Sequence, residues 1–303
     1  MLITHTHKKR AYSRIAGAKS QSAMEYLMTY GWSILIIAIV LAALFQLGVF
    51  NSTNFAPKAP PGACQVFRPN GPGTTSFINT EGVCNGELPQ YVAQDKRTGD
   101  INIPSIKGLP ILAEPRTVTV WFLTNGTGGG NVFNYGIDAC NLYWFNINVG
   151  QYAGYAEINT CGSNLVIGPV SPNKWYFAAF EYNGSTEYGS LSSPGGQLIS
   201  VSNGPFIFNT PSSSFTIGYG FDPPSGYFNG SVANVQIYNT SLSSNEIQAI
   251  YVEGIGGAPI DLQNLVGWWP LNGNAQDYSG NNNDGTATGV TYTSAWTSGY
   301  TAP

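Results

Sequence analysis

The feature that most constrains this chain is a long apolar segment close to its start. Residues 21–50 read QSAMEYLMTYGWSILIIAIVLAALFQLGVF, and no charged residue occurs between positions 26 and 57. About 20 consecutive apolar residues in a helix are enough to span a bilayer. Residues 21–50 are therefore predicted to form one long α-helix that inserts into a membrane.

A short basic leader precedes this segment. Residues 1–20 hold five of the 12 Lys and Arg residues and no Asp or Glu. Because basic residues keep their end of a membrane helix in the cytoplasm, we expect the leader to stay inside and the rest of the chain to lie outside the cell. The apolar segment is too long for an ordinary secretory signal peptide, which leaves a plain uncleaved anchor as one interpretation.

Glu25 supports a second interpretation. A carboxylate beside the membrane core is costly unless it is paired. Cleavage between Ser20 and Gln21 would create an α-amino group that could neutralise Glu25 of a neighbouring copy in a bundle of staggered helices.

The residues around this bond resemble the class III signal peptide of archaeal type IV pilins. In that family a prepilin peptidase cleaves after a basic and a small residue, here Lys19 and Ser20. The mature helix then begins with Gln and carries Glu at its fifth position, here Gln21 and Glu25. The resemblance implies a membrane-anchored subunit that, after cleavage, assembles with copies of itself or with other pilins into a cell-surface pilus.

Composition limits the remaining chain to an ordered domain with an uncharged polar surface. Charged residues are 9% of the sequence, against about 25% in ordinary soluble proteins, so Asn, Ser, Thr and Tyr must supply the surface polarity. Aromatic residues are 13%, which argues against disorder. Without the leader the chain carries seven basic and 16 acidic residues, and this balance argues against nucleic acid as a partner.

The segments after the helix predict a linker and then an all-β domain. Residues 51–62, NSTNFAPKAPPG, are expected to form a proline-rich linker. Residues 63–303 alternate short β-branched and aromatic runs with Gly, Pro and Asn turns, a pattern typical of a β-sandwich or jelly roll. The predicted strands are residues 116–123, 141–149, 174–182, 197–201, 214–219 and 230–238. Ser243 and Glu246 form a capping box for one short helix, residues 243–251.

Residues 228–254, FNGSVANVQIYNTSLSSNEIQAIYVEG, resemble the closing segment of laminin G-like, concanavalin A-like lectin domains. Residues 118–123, 132–136 and 174–185 resemble the inner strands of the same jelly roll. Residues 265–286, LVGWWPLNGNAQDYSGNNNDGT, are similar to its opening strand, although they stand near the end of the chain. Either the domain is circularly permuted, since sandwich termini lie close together, or this strand is donated to a neighbouring subunit. We favour the permuted domain.

Four cysteines, all after the apolar segment, predict two disulfides in an oxidising compartment: Cys64, Cys84, Cys140 and Cys161. Four cysteines allow three pairings, and proximity in the sequence favours Cys64 with Cys84 and Cys140 with Cys161. Four buried free thiols are the alternative. A zinc site is disfavoured because the sequence has no CxxC pair and no His after the helix.

A tight loop near the end of the chain is a candidate calcium site. Oxygen-bearing side chains recur there at alternate positions: Asp277, Ser279, Asn281 and Asn283. Ca²⁺ takes about six to eight oxygen ligands, and the resemblance to laminin G-like domains implies calcium near this segment. Asn- and Gly-rich turns also form without a metal, so both interpretations stay open.

Carbohydrate is the ligand that the resemblance to lectin domains implies. The candidates for stacking on sugar rings are Tyr143, Trp144, Tyr152, Tyr155, Trp175, Tyr219 and Tyr227. Trp144 and Trp175 lie in strand-like runs, where packing in the core is the alternative role. Catalysis is disfavoured, because both His residues lie in the leader and the E-x-D-x-x-E motif of glucanases with this fold does not occur.

Five N-x-S/T sequons are candidate glycosylation sites: Asn51, Asn125, Asn183, Asn229 and Asn239. Together the patterns predict a non-enzymatic, archaeal pilin-like protein of the cell membrane with an extracellular, adhesive, sugar-binding head. The alternatives are a membrane-anchored lectin that does not polymerise, a purely structural filament subunit and a glycosidase.

Overall fold

The structure is a computed structural model. It describes the backbone of residues 16–46, 63–67, 77–81 and 88–303, apart from 127–129, 141, 151–153, 161–162, 193–196, 222–225 and 302. Side chains are described at residues 28 and 30–44, and again from residue 88 onward. The chain divides into two compact units, Met1–Lys58 and Ala59–Pro303. The predicted linker, residues 51–62, lies outside the described residues.

The first unit contains helix α1, Ala16–Gln46. Its large apolar side chains are exposed where they are described, with Trp32 at 65%, Ile34 at 64% and Ile39 at 60%. The side chains of the predicted processing residues lie outside the described part: Lys19, Ser20, Gln21 and Glu25. Among the residues that the structure describes, no helix combines the length and the hydropathy needed to cross a membrane.

The second unit is an all-β sandwich of two sheets, which confirms the all-β part of the predicted fold class. Its strands are β1 (Ala63–Phe67), β2 (Phe77–Glu81), β3 (Val92–Lys96), β4 (Asp100–Ile103), β5 (Arg116–Thr124), β6 (Gly130–Gly136), β7 (Trp144–Val149), β8 (Tyr155–Thr160), β9 (Ser163–Pro169), β10 (Trp175–Tyr182), β11 (Glu187–Ser192), β12 (Leu198–Asn203), β13 (Phe215–Ile217), β14 (Asn229–Tyr238), β15 (Leu265–Trp269), β16 (Thr286–Thr288) and β17 (Thr291–Thr293). Helix α2 is Ser244–Glu253.

Neighbouring strands pair in the antiparallel direction in both sheets. The first sheet has the order β12-β11-β10-β5-β14-β3-β17, and β15 also pairs with β14. The second sheet has the order β16-β4-β13-β6-β7-β8-β9, while β1 and β2 form a separate hairpin.

The central strands of the first sheet are buried on both faces. Every residue of β5 and β10 is buried, because successive side chains point to opposite faces and each face meets an apolar layer. Val120 and Phe122 enter the inner core between the two sheets. Trp121 and Phe177 enter an outer core, which lies on the other face of the same sheet and includes residues of α2.

Helix α2 begins as the sequence predicts. The Ser243 hydroxyl accepts a hydrogen bond from the Glu246 amide at 3.4 Å, and the Ser243 amide donates to a Glu246 carboxylate oxygen at 2.7 Å. The buried face of the helix consists of Ile247, Ile250 and Tyr251. Their spacing puts all three on one side of the helix, where they pack into the outer core.

The last segment of the chain belongs to both sheets of its own sandwich. β15 pairs with β14 in the first sheet, β16 pairs with β4 in the second sheet, and β17 pairs with β3 in the first. Trp269 of β15 is fully buried in the inner core, stacked on Phe215 at 5.9 Å between ring centroids. This is the intramolecular arrangement that the first of the two interpretations of residues 265–286 predicts.

Replacing Trp269 by Ala tests how much the sandwich depends on this segment. The variant leaves a large cavity in the inner core, so we expect its free energy of unfolding to fall by about 3–5 kcal/mol. Chemical denaturation of both proteins at several protein concentrations is the measurement. Leu262→Ala, at a residue that is 72% exposed, serves as the control with little change. A loss that shrinks as the protein concentration rises would instead place the strand in a neighbouring subunit.

Candidate functional site

The second sheet has one apolar and one polar face. In β7, Phe145, Ile147 and Val149 enter the inner core. Because side chains alternate along a strand, Asn146 and Asn148 project from the opposite face. The strand register aligns the equivalent positions of the other strands into a row across the whole sheet, which we call the asparagine row: Thr286, Asn102, Thr216, Asn134, Asn146, Asn159 and Asn164.

A second set of polar side chains lies beside this row. Asn148 pairs with Asn131 on one side and with Glu157 on the other, and its Nδ2 donates a hydrogen bond to Asn131 Oδ1 at 3.0 Å. Glu157 is 1% exposed, and burial raises the pKa of its carboxyl group. We call this set, together with the asparagine row, the polar face.

Several oxygen atoms of the polar face have no hydrogen-bond partner among the residues that the structure describes. They are the Oδ1 atoms of Asn102, Asn134 and Asn146 and both carboxylate oxygens of Glu157. A buried polar atom left unpaired costs about 1–3 kcal/mol, so such atoms call for a partner. All five oxygens accept hydrogen bonds, and the fitting partner is therefore rich in O–H or N–H donors.

Aromatic side chains stand at both ends of the polar face. Trp144 precedes Asn146 on the same face of β7 and contacts Phe221 edge-to-face at 5.9 Å. Tyr155, which is 43% exposed, precedes Glu157 on the same face of β8. Since β7 and β8 run antiparallel, these two rings lie at opposite ends of the polar side chains.

A further aromatic pair lies next to Asn131. Tyr219 and Tyr227 contact each other at 4.5 Å between ring centroids. Gly226, which precedes Tyr227, is held against β6, because the Asn131 amide and Nδ2 both donate to its carbonyl. Tyr219 and Tyr227 are half-buried, so parts of both rings remain open.

The structure thus brings together part of the aromatic set predicted from the sequence. Trp144, Tyr155, Tyr219 and Tyr227 surround the polar face, whereas Trp175 is buried in the outer core. Tyr152 lies outside the described residues. Sequence analysis missed the asparagine row, although its signal is present as Asn at alternate positions in otherwise apolar strands such as WFNINV.

The loop predicted to bind calcium uses its side chains for internal hydrogen bonds. Asp277 Oδ1 accepts from the Trp268 and Ser279 amides, each at 2.9 Å. Its Oδ2 accepts from the Ser279 hydroxyl at 2.8 Å and from the Asn283 amide at 2.9 Å. The one carboxylate of the predicted ligand set is therefore occupied by four donors.

Asn281 and Asn283, two of the other predicted ligands, also make hydrogen bonds within the protein. Asn283 is 1% exposed, accepts from the Lys107 amide at 2.8 Å and donates to the Val266 carbonyl at 2.8 Å. Asn281 Nδ2 donates to two backbone carbonyls of β15. The oxygens of Asp277 and Asn283 thus already accept hydrogen bonds in this arrangement, and the Ca²⁺ site stays a prediction. The same contacts fix the segment after β15 to the sandwich.

The other predicted sites are only partly within the described residues. Cys140 is disulfide-bonded, but Cys64, Cys84 and Cys161 have no described side chains, so the pairing stays a prediction. Among the sequons, Asn125, Asn183 and Asn239 are exposed and Asn229 is half-buried, while Asn51 lies outside the described residues. Asn183 Oδ1 accepts from the Ser185 and Thr186 amides and so caps its own turn.

Comparison with known families agrees with the sandwich. Residues 95–248 match the family model described as the concanavalin A-like lectin/glucanases superfamily. This match covers strands of both sheets and the start of α2. No curated protein sequence gives a significant match.

Solved structures share the fold at low sequence identity. A Bacteroides ovatus protein, whose name attributes carbohydrate binding to it, has a TM-score of 0.50 and 16% identity over 73% of this chain and 64% of its own. This chain therefore spans less than two thirds of that protein. The heptameric SAP-like pentraxin of Limulus polyphemus has a TM-score of 0.43 and 11% identity over 56% of this chain and 85% of its own. At 16% identity, the similarity to the Bacteroides ovatus protein shows the fold alone.

Asp277→Asn tests whether the loop after β15 is a structural element. The amide offers one oxygen where the carboxylate accepts four hydrogen bonds, so we expect the free energy of unfolding to fall by about 2–3 kcal/mol. Thermal unfolding in excess Ca²⁺ and in EDTA is the measurement, and the loss should be equal in both. Asp138→Asn, at an exposed position, is the matched control. A stabilisation by Ca²⁺ that wild type shows and the variant lacks would contradict this assignment.

Proposed function

Because the chain belongs to the concanavalin A-like lectin/glucanases superfamily, we propose that its sandwich is a carbohydrate-binding head and that the polar face holds the sugar. The observation that carries this proposal is the group of unpaired acceptor oxygens on Asn102, Asn134, Asn146 and Glu157. Sugar hydroxyls donate hydrogen bonds to such oxygens, and the flat faces of sugar rings stack on aromatic side chains. Trp144 and Tyr155 stand where that stacking is needed.

We propose that the head binds sugar without cleaving it. Glycosidases use two carboxyl groups that lie about 5–9.5 Å apart. On the second sheet, Glu157 is in β8 and the other acidic residue that shares its face, Asp100, is in β4, four strands away. With about 4.8 Å between neighbouring strands, that separation is about 19 Å, which is too long for such a pair.

A glycan array followed by titration calorimetry with full-length protein tests the sugar-binding proposal. For the best glycan, we expect Asn146→Ala to weaken binding about tenfold, since it removes an acceptor that only a ligand or water can pair. Glu157→Gln should weaken binding without loss of stability, because it removes a buried charge. Asn245→Ala, on the exposed side of α2, is the control.

The possible outcomes separate the alternatives. A blank array with folded protein would favour a purely structural subunit. Glycan binding that Asn146→Ala and Glu157→Gln leave intact would place the sugar elsewhere on the head. Release of free sugar from the bound glycan would favour the alternative that the protein is a glycosidase.

We also propose that residues 1–50 make this protein a pilin-like surface subunit. The exposed apolar side chains of α1, among them Trp32, Ile34 and Ile39, are unfavourable in water. Lipid before assembly, and neighbouring helices after it, supply the apolar surroundings that they need. The residues from Lys19 to Glu25 support processing by a prepilin peptidase, and the head then faces the exterior.

Mass spectrometry of the N-terminus, on protein taken from cells, tests this processing. We expect the mature chain to begin at Gln21, because the peptidase removes the basic leader after Ser20. Lys19→Ala should leave the leader attached, whereas Lys9→Ala is the control within the leader. A wild-type chain that begins at Met1 would mean a plain anchor, and the protein would then be a membrane-bound lectin that does not polymerise.

A further inference from the structure

A buried hydroxyl group without a hydrogen-bond partner lies at the centre of the first sheet. Thr119 of β5 is 0% exposed, and its Oγ1 has no partner among the residues that the structure describes. β5 pairs with β10 along one edge and with β14 along the other, so Thr119 is enclosed by strands on both sides. An unpaired polar group in such a place is unfavourable and calls for an explanation.

A buried carboxamide is the cross-strand neighbour of this hydroxyl. The register of β5 and β14 pairs Thr119 with Gln236, which is also 0% exposed. Val118 and Ile237, the adjacent pair, enter the inner core, so Thr119 and Gln236 both point to the face that carries the outer core. Side chains paired in this way have Cβ atoms about 4.5–5.5 Å apart. The hydroxyl and the carboxamide are therefore within reach of each other.

Two hydrogen bonds orient the carboxamide of Gln236 and polarise it. Its Oε1 accepts from the Tyr238 hydroxyl at 2.6 Å, and its Nε2 donates to Asn234 Oδ1 at 3.0 Å. Burial raises the pKa of Tyr238, so the Tyr238 hydroxyl stays protonated and continues to donate. A donor at a carbonyl oxygen stabilises the negative charge that develops there when a nucleophile attacks the carbon. The carbonyl carbon of Gln236 is thereby a better electrophile.

Glu181 of β10 is a buried carboxyl group near Thr119. It pairs with Thr117, two residues before Thr119 on β5. The residues on either side of Glu181 enter the inner core, so its side chain points to the same face as that of Thr119. Diagonal neighbours of this kind lie about 7–8 Å apart, within reach of a long side chain. Burial raises the pKa of Glu181 to about 7, so it can accept and release a proton near neutral pH.

We propose that Thr119 and Gln236 react with each other and form an ester cross-link between β5 and β14. Thr119 Oγ1 attacks Cδ of Gln236, and the Tyr238 hydroxyl stabilises the negative charge on Oε1. The Cδ–Nε2 bond then breaks, the Oγ1 proton passes by way of Glu181 to the leaving nitrogen, and ammonia departs. One O–H and one C–N bond are exchanged for one C–O and one N–H bond, so the step needs no oxidant and no cofactor.

Burial protects the product of this reaction. Thr119 and Gln236 are both 0% exposed, so the water that hydrolyses an ester is excluded from the bond. The link keeps β5 and β14 joined when the hydrogen bonds between them break, and it therefore stabilises the centre of the first sheet. The cross-link uses none of the residues of the polar face, and its test is independent of the test for sugar binding.

Trypsin digestion of the full-length protein, after reduction and denaturation, tests the proposal. Trypsin cleaves after Lys and Arg, and no Lys or Arg follows Lys174. Thr119 and Gln236 therefore fall in separate peptides, residues 117–174 and 175–303, and the second peptide has no Cys through which a disulfide could join them. We expect mass spectrometry of wild type to show the two peptides covalently joined, with a mass lower than their sum by one ammonia molecule. Hydroxylamine, which cleaves esters, should separate them.

Variants assign the chemistry to named groups. Thr119→Val removes the nucleophile and keeps the shape of the side chain, so we expect complete loss of the joined peptide and an unchanged circular dichroism spectrum. Thr291→Val, at an exposed position of β17, is the matched control and should keep the link. Glu181→Gln and Tyr238→Phe remove the proton carrier and the donor to Oε1, and each should lower the joined fraction several-fold.

Two results would overturn the proposal. One is a digest of folded wild-type protein that gives only separate peptides, and the other is a joined product that persists in Thr119→Val. If Thr119→Val fails to fold, tandem mass spectrometry of the wild-type product still decides the question. A bond located between Thr119 and Gln236 would support the proposal, and a bond between other residues would contradict it.

Discussion

The rest of the sandwich depends on the pairing of strand β14, because segments from distant parts of the chain form hydrogen bonds along its two edges. β5 pairs along one edge, while β3 and β15 divide the other edge between them. Asn234 lies where the ladder with β5 shifts register, with φ of +49°. Its side chain donates to the Gly257 carbonyl at 2.9 Å and accepts from Trp268 Nε1 at 2.8 Å. One buried amide thus joins β14, the segment after α2 and the last part of the chain.

The two sheets differ in what covers their outer faces, and this difference determines where polar side chains are left unpaired. The first sheet has an apolar layer on each face, so its central strands β5 and β10 are buried throughout. The second sheet has the inner core on one face and amide and carboxyl side chains on the other. The unpaired oxygens of that outer face are the observation on which the proposed sugar site rests.

The structure supports the all-β architecture that the sequence predicted, and it leaves most of the predicted sites as predictions. Period-two runs identified the central strands, and the capping box at Ser243 located α2 to within a residue or two, because these are local signals. The predicted calcium ligands Asp277, Ser279, Asn281 and Asn283 have oxygens at alternate positions along the chain. In the folded protein the Asp277 and Asn283 oxygens accept backbone hydrogen bonds, and the calcium site stays a prediction. Nothing local distinguishes an oxygen directed at a cation from one directed at an N–H group.

The sequence by itself determined the apolar character of residues 26–50, the all-β nature of the domain that follows, and the capped start of α2. Each of these follows from residue type and spacing along one segment. Only the tertiary structure decided that residues 265–293 complete the sandwich of their own chain, that Asn102, Asn134 and Asn146 align across separate strands, and that Trp175 is buried while Tyr155 is exposed. These outcomes depend on strand register and sheet order, which are set by contacts between residues far apart in the chain.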